Sequence, residues 1–203
     1  MTSNKDFSEK TADPDPFTQF KTWYDEHLAH GIAVPDSVAL GTSTPDGHVA
    51  VRTVLMKDYD ETGFVFYTNY KSRKGRQLLS NPKAALLFYW PESCRQIRIE
   101  GVTEKISDKD SESYFKTRPR ESQLSAWASE QSSVIPGRQH LENRYNSYEN
   151  MFSEKSVAKP QYWGGFRLIP EWFEFWQEGK FRLHDRIIYS KRKDTWVIER
   201  LAP

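Results

Sequence analysis

The chain has 203 residues, enough for one domain with a sizeable core, and carries 29 basic against 28 acidic side chains, a formal net charge of +1. That balance argues against a general nucleic-acid-binding surface, and no apolar run reaches membrane-spanning length. The single cysteine, Cys94, excludes an internal disulfide and any cysteine-based metal cluster. Only 37% of residues are hydrophobic, yet 14% are aromatic (7 Trp, 10 Tyr, 12 Phe), which places rings in a β-core, at an oligomer interface or beside a planar ligand. The opening Met-Thr-Ser-Asn-Lys-Asp lacks the apolar segment of a secretory signal, so a soluble, cytoplasmic protein is the expectation.

Residues 1–15 are polar, hold Pro14, and have Phe7 as their one large apolar side chain; they read as a disordered tail ahead of a single domain, 16–203. From Pro16 the pattern turns helical: Phe17, Phe20, Tyr24 and Leu28 keep helical spacing until Gly31. Ser37–Ser43 and His48–Lys57 form a hairpin about Pro45-Asp46-Gly47, and Gly63–Asn69 is the next strand. Ser72 caps a short helix that Asn81-Pro82 stops. Strands Ala84–Trp90 and Arg95–Ile106 precede a helical stretch from Ser107 to Phe152, broken at Pro119 and at Ser132-Ser133. Gly165–Ile169, Trp172–Gln177, Lys180–Ser190 and Thr195–Leu201 close the chain as strands. The fold class is α+β, a largely antiparallel β-barrel with peripheral helices.

Four clusters are suited to anions. In Lys180–Ser190, alternation puts Arg182, His184 and Arg186 on one face, about 6–7 Å apart. Their counter-charge is either carboxylates on a neighbouring strand or an anionic ligand. Arg73, Lys74 and Arg76 open the helix after Ser72, where cations oppose the helix dipole; they form either a solvated cap or an anion cradle. Alternation puts Arg52 and Lys57 on opposite faces of their strand, so both reach one ligand only if the strand bulges or Lys57 lies beyond its end. Tyr114 and Arg118 are helical neighbours before Pro119, and Ser122 can cap the next helix; this is either ordinary capping with a surface arginine or a phosphate receptor. There is no glycine-rich phosphate loop, and the dispersed histidines carry no metal-ligand pattern, so no metal is expected.

Taken in order, Arg52-Thr-Val-Leu-Met-Lys57, Phe66-Tyr-Thr-Asn69, Ser72-Arg-Lys74, Arg95-Gln96, Tyr114-Phe with Arg118-Pro-Arg-Glu-Ser122-Gln, Gln131-Ser-Ser133, Trp163-Gly-Gly-Phe-Arg167, Glu174-Phe-Trp-Gln177, Arg182-Leu-His-Asp-Arg186 and Arg200-Leu-Ala-Pro203 resemble the pyridoxine (pyridoxamine) 5'-phosphate oxidase family. The likeness runs from about residue 16 to the end. It implies an FMN-binding split β-barrel that works as a homodimer with flavin at the interface. By position, FMN contacts fall on Arg52, Thr53, Val54, Leu55, Met56, Lys57, Tyr67, Thr68, Arg73, Lys74 and Gln96 of one subunit and on Gln131, Ser132, Trp176 and Arg186 of the other.

Substrate-phosphate contacts fall on Lys57, Tyr114, Arg118 and Ser122, with Arg182 and His184, the implied catalytic pair, toward the substrate ring. The implied reaction oxidises pyridoxamine or pyridoxine 5'-phosphate to pyridoxal 5'-phosphate with dioxygen as acceptor. Tyr114, Arg118 and Ser122 separate this expectation from a phenazine-pathway flavin oxidase of the same fold. Arg182 and His184 separate it from a non-catalytic flavin- or haem-binding barrel. The family's N-terminal Arg and Tyr have no counterpart in residues 1–15, and Asp36 is the nearest stand-in for a carboxylate expected near Val34.

Overall fold

The structure, a computed structural model, describes residues 7–203. Helix α1 (Pro16–Leu28) opens the fold; the Asp15 carboxylate accepts from Thr18 N–H at 3.0 Å, and Pro16 occupies a first-turn position where no N–H is needed. Strands β1 (Ser37–Ser43), β2 (Val49–Asp60) and β3 (Gly63–Asn69) follow, then α2 (Arg73–Ser80), β4 (Lys83–Trp90) and β5 (Arg95–Lys105). Helices α3 (Asp108–Thr117), α4 (Arg120–Ala128) and α5 (Arg138–Met151) precede β6 (Trp163–Gln177), β7 (Asp185–Arg192) and β8 (Thr195–Arg200).

Every strand pairing is antiparallel. The order β3-β2-β1-β4-β5-β6, closed by β3 against β6, makes a six-stranded barrel, and β7 and β8 extend the sheet beyond β6. β6 serves both parts. Its first half pairs with β3 from Asn69↔Trp163 to Phe64↔Leu168, and its second half pairs with β7 from Trp172↔Ser190 to Gln177↔Asp185. The sequence reads two strands here because Pro170 cannot donate to a ladder. The structure keeps one strand by placing Pro170 at the β5–β6 register shift between Glu100 and Gly101. A Cβ on Gly101 would lie 2.0 Å from the Ile169 carbonyl oxygen, so the bulge requires glycine.

The barrel interior is aromatic. Phe20 of α1 lies 4.8 to 5.2 Å from the rings of Phe64, Tyr59 and Phe88, and it is fully buried, worth roughly 1.5–3 kcal/mol by transfer. The helix is rolled relative to its apolar spacing: Trp23 and His27 are buried, His27 stacks on Trp90 at 4.7 Å, and Leu28 is exposed. A second cluster of Phe115, Leu124, Val157 and Trp163 joins α3 and α4 to the start of β6.

Residues 7–15 are not a loose tail. Phe7 is buried 4.8 Å from Trp23, and the Tyr189 hydroxyl donates to the Asp13 carbonyl at 2.7 Å. The Phe7 ring docked on the aromatic core, the Tyr189 bond to Asp13 and the Arg200 bonds to Glu9 together tie this polar stretch to the barrel. Residues 1–6 of the expected tail lie outside the described residues.

Candidate active site

A cleft of about 610 Å³ opens between the β2–β3 side of the barrel and helices α3 and α4. Thr53, Leu55 and Lys57 reach it from β2 because they share one face, and Val54, Tyr67 and Thr68 also line it. The β2–β3 register shifts between Met56 and Asp58, so Lys57 is the bulged residue; Met56 itself points into the core. The Lys57 ammonium pairs with Asp36 at 2.5 Å.

Arg52 stays on the opposite face, as alternation dictates. Its guanidinium donates to the Leu40 carbonyl at 3.1 Å, to the Thr42 hydroxyl at 2.5 Å and to the Gln77 side chain on α2 at 3.4 Å. It sits close enough to Arg73 and Lys74 for mutual repulsion. Burial, then Arg73, lowers the pKa of Arg52; burial, then Arg52, lowers that of Lys74. Among the described residues, no carboxylate forms an ion pair with any of these three cations. Ser72 caps α2 as expected, accepting from Gly75 N–H at 3.2 Å. Lys74 donates to Thr68 and Gln131 at 3.3 and 3.2 Å, so Gln131 reaches the cleft within the same chain, not from across an interface.

At the α3–α4 break the cleft holds Tyr114, Arg118 and Ser122. Ser122 does not cap α4, which starts at Arg120 without a side-chain cap; instead Gln123 turns back to cap the end of α3, donating to the Phe115 and Arg118 carbonyls. The Ser122 hydroxyl is thus left to line the cleft. Arg118 lies 4.7 Å over the Trp163 ring, and its Nη1 is buried without a hydrogen-bond partner. Burial pushes its pKa down. Tyr67, Tyr114 and Trp163 pack as three near-parallel rings, with Tyr67 3.9 Å from Tyr114 and 5.3 Å from Trp163 and the latter two 6.3 Å apart, making an aromatic wall. Burial, then Tyr114, pushes the Tyr67 phenol up to about 12, so it stays neutral.

A second group forms on the outer face of the sheet. Gln96 pairs across to Trp176, Trp176 to Arg186, and the His184 ring lies 4.7 Å from Trp176. Gln96 therefore belongs with Trp176 and Arg186, apart from the cleft-lining residues with which the resemblance groups it. Lys180–Ser190 is not one strand. Lys180–Arg182 forms a 3-10 turn, with Phe181 and Arg182 at φ of 58° and 65°, and β7 begins only at Asp185. Arg182, His184 and Arg186 thus do not share a strand face, and Arg182 is exposed on the turn. The missing counter-charge of Arg186 is protein: Glu174, 1% exposed, accepts from Arg186 Nε at 2.5 Å and from Arg98 Nη1 at 2.8 Å. Ser132 (φ 71°) lines a small cavity beside Gln131.

The family model for pyridoxamine 5'-phosphate oxidase matches residues 24–152, and the model for the pyridoxine 5'-phosphate oxidase C-terminal dimerisation region matches residues 163–203. The chain belongs to the pyridoxamine 5'-phosphate oxidase family. Curated relatives named pyridoxine/pyridoxamine 5'-phosphate oxidase include one from Nostoc sp. (strain PCC 7120), 48% identical over 97% of this chain and 92% of its own length. Another, from Rubrobacter xylanophilus, is 49% identical over 97% and 90%. Among solved structures, PhzG from Burkholderia lata 383 in complex with tetrahydrophenazine-1-carboxylic acid superposes with a TM-score of 0.92 at 28% identity, covering 98% of both chains.

Within this member of the oxidase family, Trp163 and Glu174 carried no assigned role in the sequence, and Asp36 entered there only as the stand-in for a carboxylate near Val34. Trp163 forms the platform under Arg118, and Asp36 balances Lys57. Glu174 holds Arg186. A signal for Glu174 was present: one carboxylate inside the aromatic run Trp172-Phe-Glu-Phe-Trp176 has to be paired if that strand is buried.

Proposed function

We propose that this chain is a pyridoxine/pyridoxamine 5'-phosphate oxidase that binds FMN and its phosphorylated substrate in the cleft described above. One observation carries the reading: Arg118 Nη1 is buried and unpartnered beside Tyr114 and Ser122. A buried donor on a cation is costly unless a ligand oxygen completes it. A guanidinium, a phenol and a hydroxyl at the start of a helix form a receptor for the substrate phosphate.

The unbalanced cations Arg52 of β2 and Arg73 and Lys74 at the start of α2 fit the FMN phosphate, with Thr68 and Gln131 beside it. Two anion receptors and an aromatic wall fit FMN and a phosphorylated pyridine better than either alone. Gln96, Trp176 and Arg186, on the outer face, complete the flavin site from a second copy, and Ser132 lies next to it. The exposed apolar face of β2 and β4, with Val49, Val51, Leu87 and Tyr89, supports a homodimer, as does the match of residues 163–203 to a dimerisation region. The free thiol of Cys94 fits a reducing compartment, the cytoplasm.

Held by Arg52, Arg73 and Lys74, FMN would supply the redox chemistry, two-electron oxidation of the substrate with dioxygen as final acceptor and hydrogen peroxide as its product. The amine consumes water and releases ammonia as the aldehyde forms; the alcohol gives the aldehyde directly. The protein's share is placement. Tyr114, Arg118 and Ser122 fix the phosphate, with Lys57 available on release from Asp36. The Tyr67–Tyr114–Trp163 wall excludes water from one side. Arg182 and His184, which stand with Trp176 and Arg186 outside the chain's own cleft, cover the ring from a second copy, which restricts the substrate to a reactive orientation. The test is to add pyridoxamine 5'-phosphate, pyridoxine 5'-phosphate and a tetrahydrophenazine carboxylate separately to FMN-loaded protein in air, following aldehyde and peroxide. Turnover of the B6 phosphates above a free-FMN control is expected; turnover of the phenazine precursor alone overturns the reading.

A further inference from the structure

The turn that carries Arg182 and His184 is held by contacts outside the cleft. Two consecutive non-glycine residues, Phe181 and Arg182, adopt left-handed backbone conformations, which L residues with side chains disfavour. Such a turn persists only when its surroundings determine it. At its base, Gly179 N–H donates to His184 Nδ1 at 3.2 Å, and a Cβ on Gly179 would lie 1.9 Å from the Leu183 carbonyl oxygen. At its end stands Asp185, whose carboxylate accepts from Arg200 Nη1 at 2.7 Å.

Arg200 is itself held on its other side. Nε and Nη2 donate to the two carboxylate oxygens of Glu9 at 2.8 and 3.2 Å, a fork-to-carboxylate geometry that fixes the guanidinium plane. The chain after it closes the same corner: Leu201 N–H donates to the Arg186 carbonyl, and Arg186 Nη1 donates to the Ala202 carbonyl, both at 2.9 Å. Glu9 first, then Asp185, hold the Arg200 guanidinium charged. The N-terminal segment, the C-terminal residues and the 180–185 turn therefore meet at one side chain.

We propose that Arg200 is a positioning residue: by tying Asp185 to the anchored N-terminal segment, it holds the strained 180–185 turn in the one conformation that presents Arg182 and His184 to the substrate. This rests on the substrate-facing role given to Arg182 and His184 above. Arg200 does not line the cleft; its guanidinium bonds to Asp185 of the turn and to Phe7 and Glu9 of the N-terminal segment. Exposed ion pairs add little to global stability, so the consequence of losing this one is local.

The experiment compares FMN-loaded wild type with Arg200→Gln, Arg200→Lys and Asp185→Ala, the last breaking the same bridge from the other side. Hydrogen exchange of the 180–185 amides, FMN affinity and steady-state kinetics are read for each. Arg200→Gln and Asp185→Ala are expected to speed exchange across the turn and to raise KM roughly ten-fold, with FMN affinity within about two-fold of wild type. Arg200→Lys, which keeps the charge but not the fork, is expected to recover part of the loss. Unchanged exchange at 180–185 in both Gln and Ala variants overturns the proposal, as does a rise in KM matched by parallel losses of FMN affinity and melting temperature, which marks a general structural role. If wild type does not oxidise the B6 phosphates, the functional reading falls, and the exchange comparison alone decides whether Arg200 latches the turn.

Discussion

Arg118 lies over the face of Trp163 at 4.7 Å and keeps Nη1 buried without a protein partner. Stacking compensates for part of its desolvation but leaves a donor unmet. Arg118→Met should therefore separate binding from stability. The substrate KM is expected to rise between ten- and a hundred-fold, from loss of about 1.5–3 kcal/mol of charge-assisted hydrogen bonding. The melting temperature of the FMN-free protein is expected to hold or rise, because the unmet buried donor is gone. Steady-state kinetics and a thermal melt on the same preparation check both halves.

Lys74 should make flavin affinity depend on pH. Burial, then Arg52, lowers its pKa in the FMN-free protein. Between that lowered value and the ordinary lysine value the unfolded chain binds more protons, so the stability of the FMN-free protein rises with pH across this window. A phosphate dianion beside Lys74 favours the charged form, so FMN binding takes up protons there. Affinity is expected to fall as pH climbs through the window, and Lys74→Met should flatten that slope while weakening binding overall. Titration calorimetry in buffers of different ionisation enthalpy reads the proton uptake directly.

Glu174 is the buried partner of two arginines. Glu174→Ala leaves both without it and is expected to destabilise the fold by roughly 2–3 kcal/mol, below the ~3–5 kcal/mol of a fully buried pair because Arg98 and Arg186 remain partly solvated. Chemical denaturation measures this. Glu174→Gln, which keeps an acceptor for Arg186, should recover about half.

Asp36 holds Lys57 in an ion pair at the edge of the cleft. Asp36→Asn removes the competing charge and should tighten inhibition by inorganic phosphate several-fold, an effect that fades with added salt. Phosphate inhibition constants at low and high ionic strength give the answer.

Much of this was legible in the sequence, and the exceptions share a cause. Tyr114, Arg118, Ser122, Lys57 and Lys74 line one cleft because strand alternation and the Pro119 break are local rules that the fold obeys. The Ser72 cap and the β1–β2 hairpin follow from equally local chemistry. What failed depended on distant partners. Alternation could not foresee left-handed Phe181 and Arg182, since neither residue type favours that conformation. Phe7 in a polar stretch looked free because its site, Trp23 and Phe175, is assembled from far along the chain. The break read at Pro170 vanished because Gly101, on another strand, absorbs it.

β6 also sets the order in which the molecule can be completed. Closing the barrel joins Phe64 to Leu168, across about a hundred residues, so the seam forms only after the loop-closure entropy of that span is met. On the ribosome, β1 to β5 emerge as an open sheet with β3 and β5 as bare edges, and such edges invite pairing with other chains. The Trp163 platform under Arg118 arrives with the strand that seals them. A nascent chain therefore acquires its closed barrel and its finished binding cleft in the same late event, and a copy arrested before Trp163 is both inactive and exposed to aggregation.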